Sequence, residues 1–118
     1  MLIRHLGITV RDARQSADFY LSVIGLDGEV RQTPWGFRLD LVDGFMLALI
    51  EGEPLPGDHA AAVHFGVTLE QPEEVHRVRD KLRQAGVPEL EWEDADGYTG
   101  LKVQDPDGYV VEISYDVT

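Results

Sequence analysis

A six-residue segment occurs twice in this 118-residue chain, and no other feature limits the fold as strongly. His5-Leu6-Gly7-Ile8-Thr9-Val10 returns as His64-Phe65-Gly66-Val67-Thr68-Leu69, 59 positions later (64 minus 5). His, Gly and Thr repeat identically, and the positions between them stay apolar. Repeats of this kind imply a structural unit used twice. Each copy alternates with period two, the signature of a half-buried strand. Leu6, Ile8 and Val10 share one face; His5, Gly7 and Thr9 share the other. In the second copy Phe65, Val67 and Leu69 oppose His64, Gly66 and Thr68. Each strand therefore has one apolar face and one face carrying a histidine beside small residues. The glycine leaves space above that second face, as a strand lining a cavity requires.

A helix is expected after each strand. In the first copy Asp12 supplies a cap and Gln15 completes a capping-box spacing. Ala13, Ala17, Tyr20 and Ile24 then recur at helical intervals, and Gly25 ends the run. In the second copy Pro72 opens the helix, Val75, Val78, Leu82 and Ala85 form its stripe, and Gly86 stops it. Three short strands follow each helix: about 28–32, 36–41 and 45–50, then about 88–93, 99–104 and 109–115. Asp43-Gly44 and Asp105-Pro106-Asp107-Gly108 are strong turn signals. The stretch 51–58, with two prolines and two glycines, reads as a linker. The expected fold is α+β: one domain over 1–118, made of two tandem βαβββ modules (about 1–52 and 59–118) forming a curved mixed sheet around a central cavity.

The two Asp-Gly turns align the last strands at an offset of 64 (107 minus 43). That offset sets Glu112 opposite Ala48. Glu112 interrupts the apolar run Tyr109-Val110-Val111-Glu112-Ile113, and a carboxylate away from water needs a cation, a base or a raised pKa. His5, His64 and Glu112 thus occupy related places on the non-helix face, which points to a metal site. Two imidazoles and one carboxylate suit non-haem Fe(II), with Mn, Zn, Ni or Co also accommodated. The competing reading is a metal-free ligand pocket in which Glu112 accepts hydrogen bonds from the histidines. On the third strands Arg38 and Lys102 are the candidates for holding an anionic group of a substrate. Trp35 and Tyr98, just ahead of those strands, are placed to stack on a substrate or to anchor their loops. His76 reads as solvated, and His59 as a linker residue. No residue stands out as a catalytic acid, base or nucleophile.

Composition narrows the partners. The chain has no cysteine, so disulfides and thiolate ligands are excluded. Its 22 acidic and 10 basic residues give a net charge of −12, which argues against nucleic acid and acidic lipid. No apolar run approaches the roughly 18 residues of a membrane span. Met1-Leu2-Ile3 leads into polar residues without a signal-peptide pattern, and the chain reads as cytoplasmic.

The paired modules, the strand-one histidines and the run Asp105-Pro106-Asp107-Gly108-Tyr109-Val110-Val111-Glu112 resemble the vicinal oxygen chelate superfamily over essentially the whole chain. That superfamily includes glyoxalase I, extradiol dioxygenases, fosfomycin-resistance enzymes, methylmalonyl-CoA epimerase and bleomycin-binding proteins. The resemblance implies metal ligands at His5, His64 and Glu112, and a homodimer. It also implies differences among members. Glyoxalase I usually carries a fourth ligand, a glutamate where this chain has Ala48, with Glu51 at the strand end the only nearby substitute. Fosfomycin-resistance enzymes surround their phosphonate with more basic groups than Arg38 and Lys102. Extradiol dioxygenases usually add a tyrosine near the place of Lys102 and a further histidine, for which His59 is the candidate here. Bleomycin-binding members lack the metal set. The expectation is a divalent-metal enzyme, iron favoured, acting on a small oxygenated organic molecule as a dioxygenase or as an isomerase or lyase. The alternative is a non-catalytic small-molecule binding protein.

Overall fold

The computed structural model describes residues 1–117, and the repeat is visible in it as two sheets of the same design. The chain divides into two units, Met1–Leu55 and the segment from Pro56 onward. The boundary falls inside the proline-rich stretch.

The first unit contains β1 (His5–Val10), α1 (Ala13–Asp18) continuing as a π-helical segment (Phe19–Ile24), β2 (Gly28–Thr33), β3 (Gly36–Leu41) and β4 (Met46–Glu51). The strand order is β1-β4-β3-β2. β1 runs parallel to β4, and the other pairs are antiparallel. Asp12 caps α1, its carboxylate accepting from the Gln15 backbone N–H at 3.1 Å. Gly25 ends the helix at a φ of 95°, a left-handed value that glycine adopts without a Cβ clash. Ala13, Ser16, Ala17, Phe19, Tyr20 and Ile24 are buried. The helix packs on β3 and β4, where Leu39, Leu47 and Leu49 form the core.

The second unit repeats the plan with β5 (His64–Thr68), α3 (Pro72–Gln84), β6 (Glu89–Ala95), β7 (Tyr98–Gln104) and β8 (Val110–Asp116), in order β5-β8-β7-β6. α3 lies on β7 and β8, with Val75 and Leu82 meeting a core that contains Leu101, Val103, Val111 and Ile113. Arg79 ties α3 to β6 with two bonds to the Glu89 carboxylate, at 2.8 and 3.1 Å, and its guanidinium lies 4.0 Å from the Trp92 ring centroid. A short helix, α2 (Gly57–Ala62), precedes β5. It occupies part of the stretch read as linker, and it carries His59, which is exposed.

Both Asp-Gly turns close by side-chain acceptance. The Asp43 carboxylate takes the Phe45 N–H at 2.9 Å. In the second unit the buried Asp105 carboxylate takes the N–H groups of Asp107 and Tyr109, at 2.9 and 3.0 Å. These turns fix where β4 and β8 begin, and so fix their register. Gly7 faces Ala48 across β1 and β4, while Gly66 faces Glu112 across β5 and β8. Arg38 stands beside Ala48, and Lys102 beside Glu112. Ala48 and Glu112 therefore occupy the same place in the two sheets, as the turn alignment predicts.

Candidate metal centre

The face of the second sheet turned away from α3 carries the polar residues of alternating parity. One cross-strand row reads Gly66, Glu112, Lys102, Glu91. At one end of β5, His64 projects beside that row, with its side chain 49% exposed. Glu112 is more covered, at 27%. Its Oε2 lies 3.7 Å from His64 Nε2, beyond hydrogen-bond reach. Its Oε1 accepts a 2.9 Å hydrogen bond from the Tyr98 hydroxyl. The two carboxylate oxygens are thus used differently: one is held by a phenol, and the other faces an imidazole without bonding to it.

Tyr98 is the first residue of β7, not a residue ahead of it. Its ring runs along the strand over Gly100, which is buried. The phenol pKa is pushed up to about 12 by burial, then by the hydrogen bond to Glu112 and the negative charge of Glu112, Glu93 and Glu91. Tyr98 therefore stays protonated and donates at any pH near neutrality. Lys102 is engaged by Glu91, with Nζ 3.3 Å from Oε2.

In the first sheet the corresponding row reads Gly7, Ala48, Arg38, Arg31. His5 begins β1 and is exposed, as His64 is in its own sheet. Arg38 binds Asp40 through Nε at 3.1 Å and Nη2 at 2.7 Å, and Arg31 Nε reaches the other oxygen of Asp40 at 2.8 Å. Two guanidinium groups on one carboxylate hold the Asp40 pKa below the usual range. The two cations read as substrate anchors are thus each paired with a carboxylate of their own sheet. Trp35 sits in the β2–β3 turn, its carbonyl accepting the Glu51 N–H at 2.8 Å. It lines a hollow of about 410 Å³ with Gln32, Phe37 and Glu51 among its walls. Glu51 belongs to the helix-side parity of β4, and its carboxylate accepts from the Ala13 N–H at 3.3 Å. It serves the start of α1, which removes it as a substitute for the missing fourth carboxylate at Ala48.

Among the described residues no three His, Cys, Asp or Glu side chains are gathered as a metal-binding group. His64 and Glu112 come together within the second unit; His5 belongs to the first. The pair itself fits a divalent metal. A borderline nitrogen and a hard oxygen suit the first-row ions, and two bonds of about 2.1 Å span a 3.7 Å separation. Sequence reasoning named His64 and Glu112 and missed the bond from Tyr98. The available signal was Gly100, two residues on, because a tyrosine can lie flat along a strand only where the next same-face residue has no side chain.

Paired βαβββ sheets with an imidazole and a carboxylate on one face define a class of proteins that bind small molecules at sheet-borne polar groups. Residues 2–113 match the Glyoxalase/Bleomycin resistance protein/Dioxygenase superfamily, and the chain belongs to that family. No curated protein matches it in sequence. Solved structures with the same fold include a glyoxalase/dioxygenase from Nostoc punctiforme (TM-score 0.81, 18% identity, 99% of this chain and 92% of that one). The genomically encoded fosfomycin resistance protein FosX from Listeria monocytogenes is similar at TM-score 0.82 and 16% identity, over 99% of this chain and 94% of that one. The oxidase ChaP-H2 is similar at TM-score 0.77 and 20% identity, over 98% and 93%. At such identities the likeness is one of fold.

Proposed function

We propose that this chain is a divalent-metal-dependent enzyme acting on a small oxygenated organic substrate, with His64, Glu112 and His5 as the protein ligands. The observation that carries the reading is the 3.7 Å gap between His64 Nε2 and Glu112 Oε2, while Tyr98 holds the other oxygen. An open gap between two ligand-type atoms is what a shared ion requires. His5 joins the set as the repeat equivalent of His64, on the matching face of its own sheet.

A divalent ion with open positions would polarise the substrate's oxygens and stabilise developing negative charge on them. The chain supplies the rest. His64 and Glu112 present their donor atoms; Tyr98 holds one oxygen of Glu112; Gly66 leaves space beside the carboxylate. Ala48 leaves the fourth repeat-related place without a donor, which argues against a glyoxalase I activity. Lys102 and Arg38, each paired with a carboxylate, make a phosphonate a poor fit. Dioxygenase-like or isomerase- or lyase-like chemistry remains, with iron favoured over manganese, zinc, nickel or cobalt, in a cytoplasmic homodimer.

The test is metal analysis of protein purified anaerobically under reducing conditions, followed by oxygen uptake with catechol-type substrates. The account expects one ion per site, lost in His64→Ala, and turnover that depends on it. Oxygen uptake assigns a dioxygenase; turnover without uptake assigns an isomerase or lyase. Protein that takes up no divalent metal, and that binds small ligands equally well as His64→Ala, is a non-catalytic binding protein instead.

A further inference from the structure

We infer that Tyr98 and Gly100 form a positioning device for Glu112, in which the backbone of Gly100 is a seat for the Tyr98 ring and the ring delivers its hydroxyl to one carboxylate oxygen only. The inference rests on the metal reading for its purpose, but its geometry is independent of it.

The Tyr98 ring rests on the backbone of Gly100. A Cβ built on Gly100 would collide with the Tyr98 hydroxyl, and would lie 2.7 Å from its Cζ and 3.0 Å from its Cε1. Real Cβ atoms do not approach other atoms so closely, so any side chain at position 100 lifts the ring. Gly100 has no left-handed φ and needs none. Backbone conformation therefore does not demand glycine here; the ring above it does. Gly100 sits on β7 directly opposite Ser114, one same-face step from the Lys102–Glu112 pair. A tyrosine starting at position 98 crosses that step along the strand and reaches Glu112 from the side, at 2.9 Å.

The first unit provides an internal comparison. Its register sets Gly36 opposite Ile50 and Arg38 opposite Ala48, so Gly36 is the equivalent of Gly100 and Pro34 the equivalent of Tyr98. Gly36 has a different reason to be glycine: a φ of 145°, and a Cβ there would strike the Leu49 carbonyl. The places equivalent to Tyr98 and Glu112 are held there by Pro34 and Ala48. The ring and the acid thus occur together in the second sheet, and in the first, where neither is found at the equivalent places, the glycine is kept for its backbone.

The function of such a device follows from Glu112's two oxygens. A free carboxylate rotates and can offer either oxygen or both. With Oε1 bonded to Tyr98, only Oε2 remains directed toward His64. Outer partners of this type fix a ligand's orientation, and their loss typically costs about 10- to 100-fold in metal affinity. Tyr98 is therefore a positioning residue, acting through Glu112.

The experiment compares wild type, Tyr98→Phe, Gly100→Ala and the double variant by two readouts. The first is the ¹³C resonance of the Glu112 carboxyl carbon in metal-free protein; the second is Mn²⁺ affinity. The inference expects Tyr98→Phe and Gly100→Ala to move the carboxyl resonance in the same direction. It expects each to weaken Mn²⁺ about 10-fold or more, and the double variant to be no weaker than either single. It is overturned if Gly100→Ala leaves the Glu112 resonance unchanged, or if the two losses add. Should wild type bind no Mn²⁺, the metal reading fails and the resonance comparison alone decides the positioning role. Tyr98→Phe keeps the ring on its seat, so it decides the hydroxyl's part even if Gly100→Ala does not fold.

Discussion

Glu112 and Tyr98 carry different amounts of sequence information. Glu112 announced itself as an acid inside an apolar strand, and the Asp-Gly turns aligned it with Ala48, the residue that holds the same register place in its own sheet. Tyr98 did not, because its reach depends on a side-chain direction along β7 that no spacing rule fixes. Its ionisation gives a prediction at this scale. The folded phenol pKa is raised to about 12, above the ordinary value near 10, so the neutral form is the one the fold favours. Tyr98's contribution to stability is then complete below about pH 10 and is lost as pH climbs through about 12. The difference in thermal midpoint between wild type and Tyr98→Phe is expected to stay level from pH 7 to 10 and to shrink above it. A difference that widens with alkali contradicts the assignment.

At the scale of elements, the helices and strands were legible where local chemistry and burial agree. Asp12, Gly25, Pro72 and Gly86 bracket their helices as capping rules require. Removing the Asp12 cap in Asp12→Ala is expected to cost about 1 kcal/mol in a denaturant titration, with Asp12→Asn restoring nearly all of it. What was not legible had a tertiary cause. α2 is a six-residue helix in a segment rich in proline and glycine, too short for a periodic signal. The π-helical segment Phe19–Ile24 shares its apolar spacing with an ordinary helix. β6 was expected at about 88–93 and runs on to Ala95, an end that its polar residues did not mark and that pairing with β7 holds. The contact of Arg79 with β6 also predicts an outcome: Arg79→Lys keeps the charge but loses the two-pronged bond to Glu89 and the stacking on Trp92. A loss of about 1 kcal/mol is expected by the same titration, whereas a simple surface charge pair would show almost none.

Across the whole chain, the duplicated sheet explains both family membership and asymmetry. The same strand order is built twice, yet one copy carries Glu112 and Tyr98 where the other carries Ala48 and Pro34. Charge follows the same division: Arg31 and Arg38 share Asp40 in the first sheet, while Glu91, Glu93 and Glu112 crowd the face of the second. The fold could be read from the repeat because duplication constrains many positions at once. The reaction could not, because the family spans several chemistries on one scaffold. The three-ligand site is the claim on which the functional account depends. It is tested most directly by competition titration of Mn²⁺ against a chromophoric chelator, using wild type, His5→Ala, His64→Ala and Glu112→Gln, with His59→Ala and His76→Ala as controls. The account predicts affinity losses of about 100-fold or more in the first three variants and none in the two controls. Undiminished binding in His5→Ala, His64→Ala or Glu112→Gln, or losses in the controls of the same size, would contradict it.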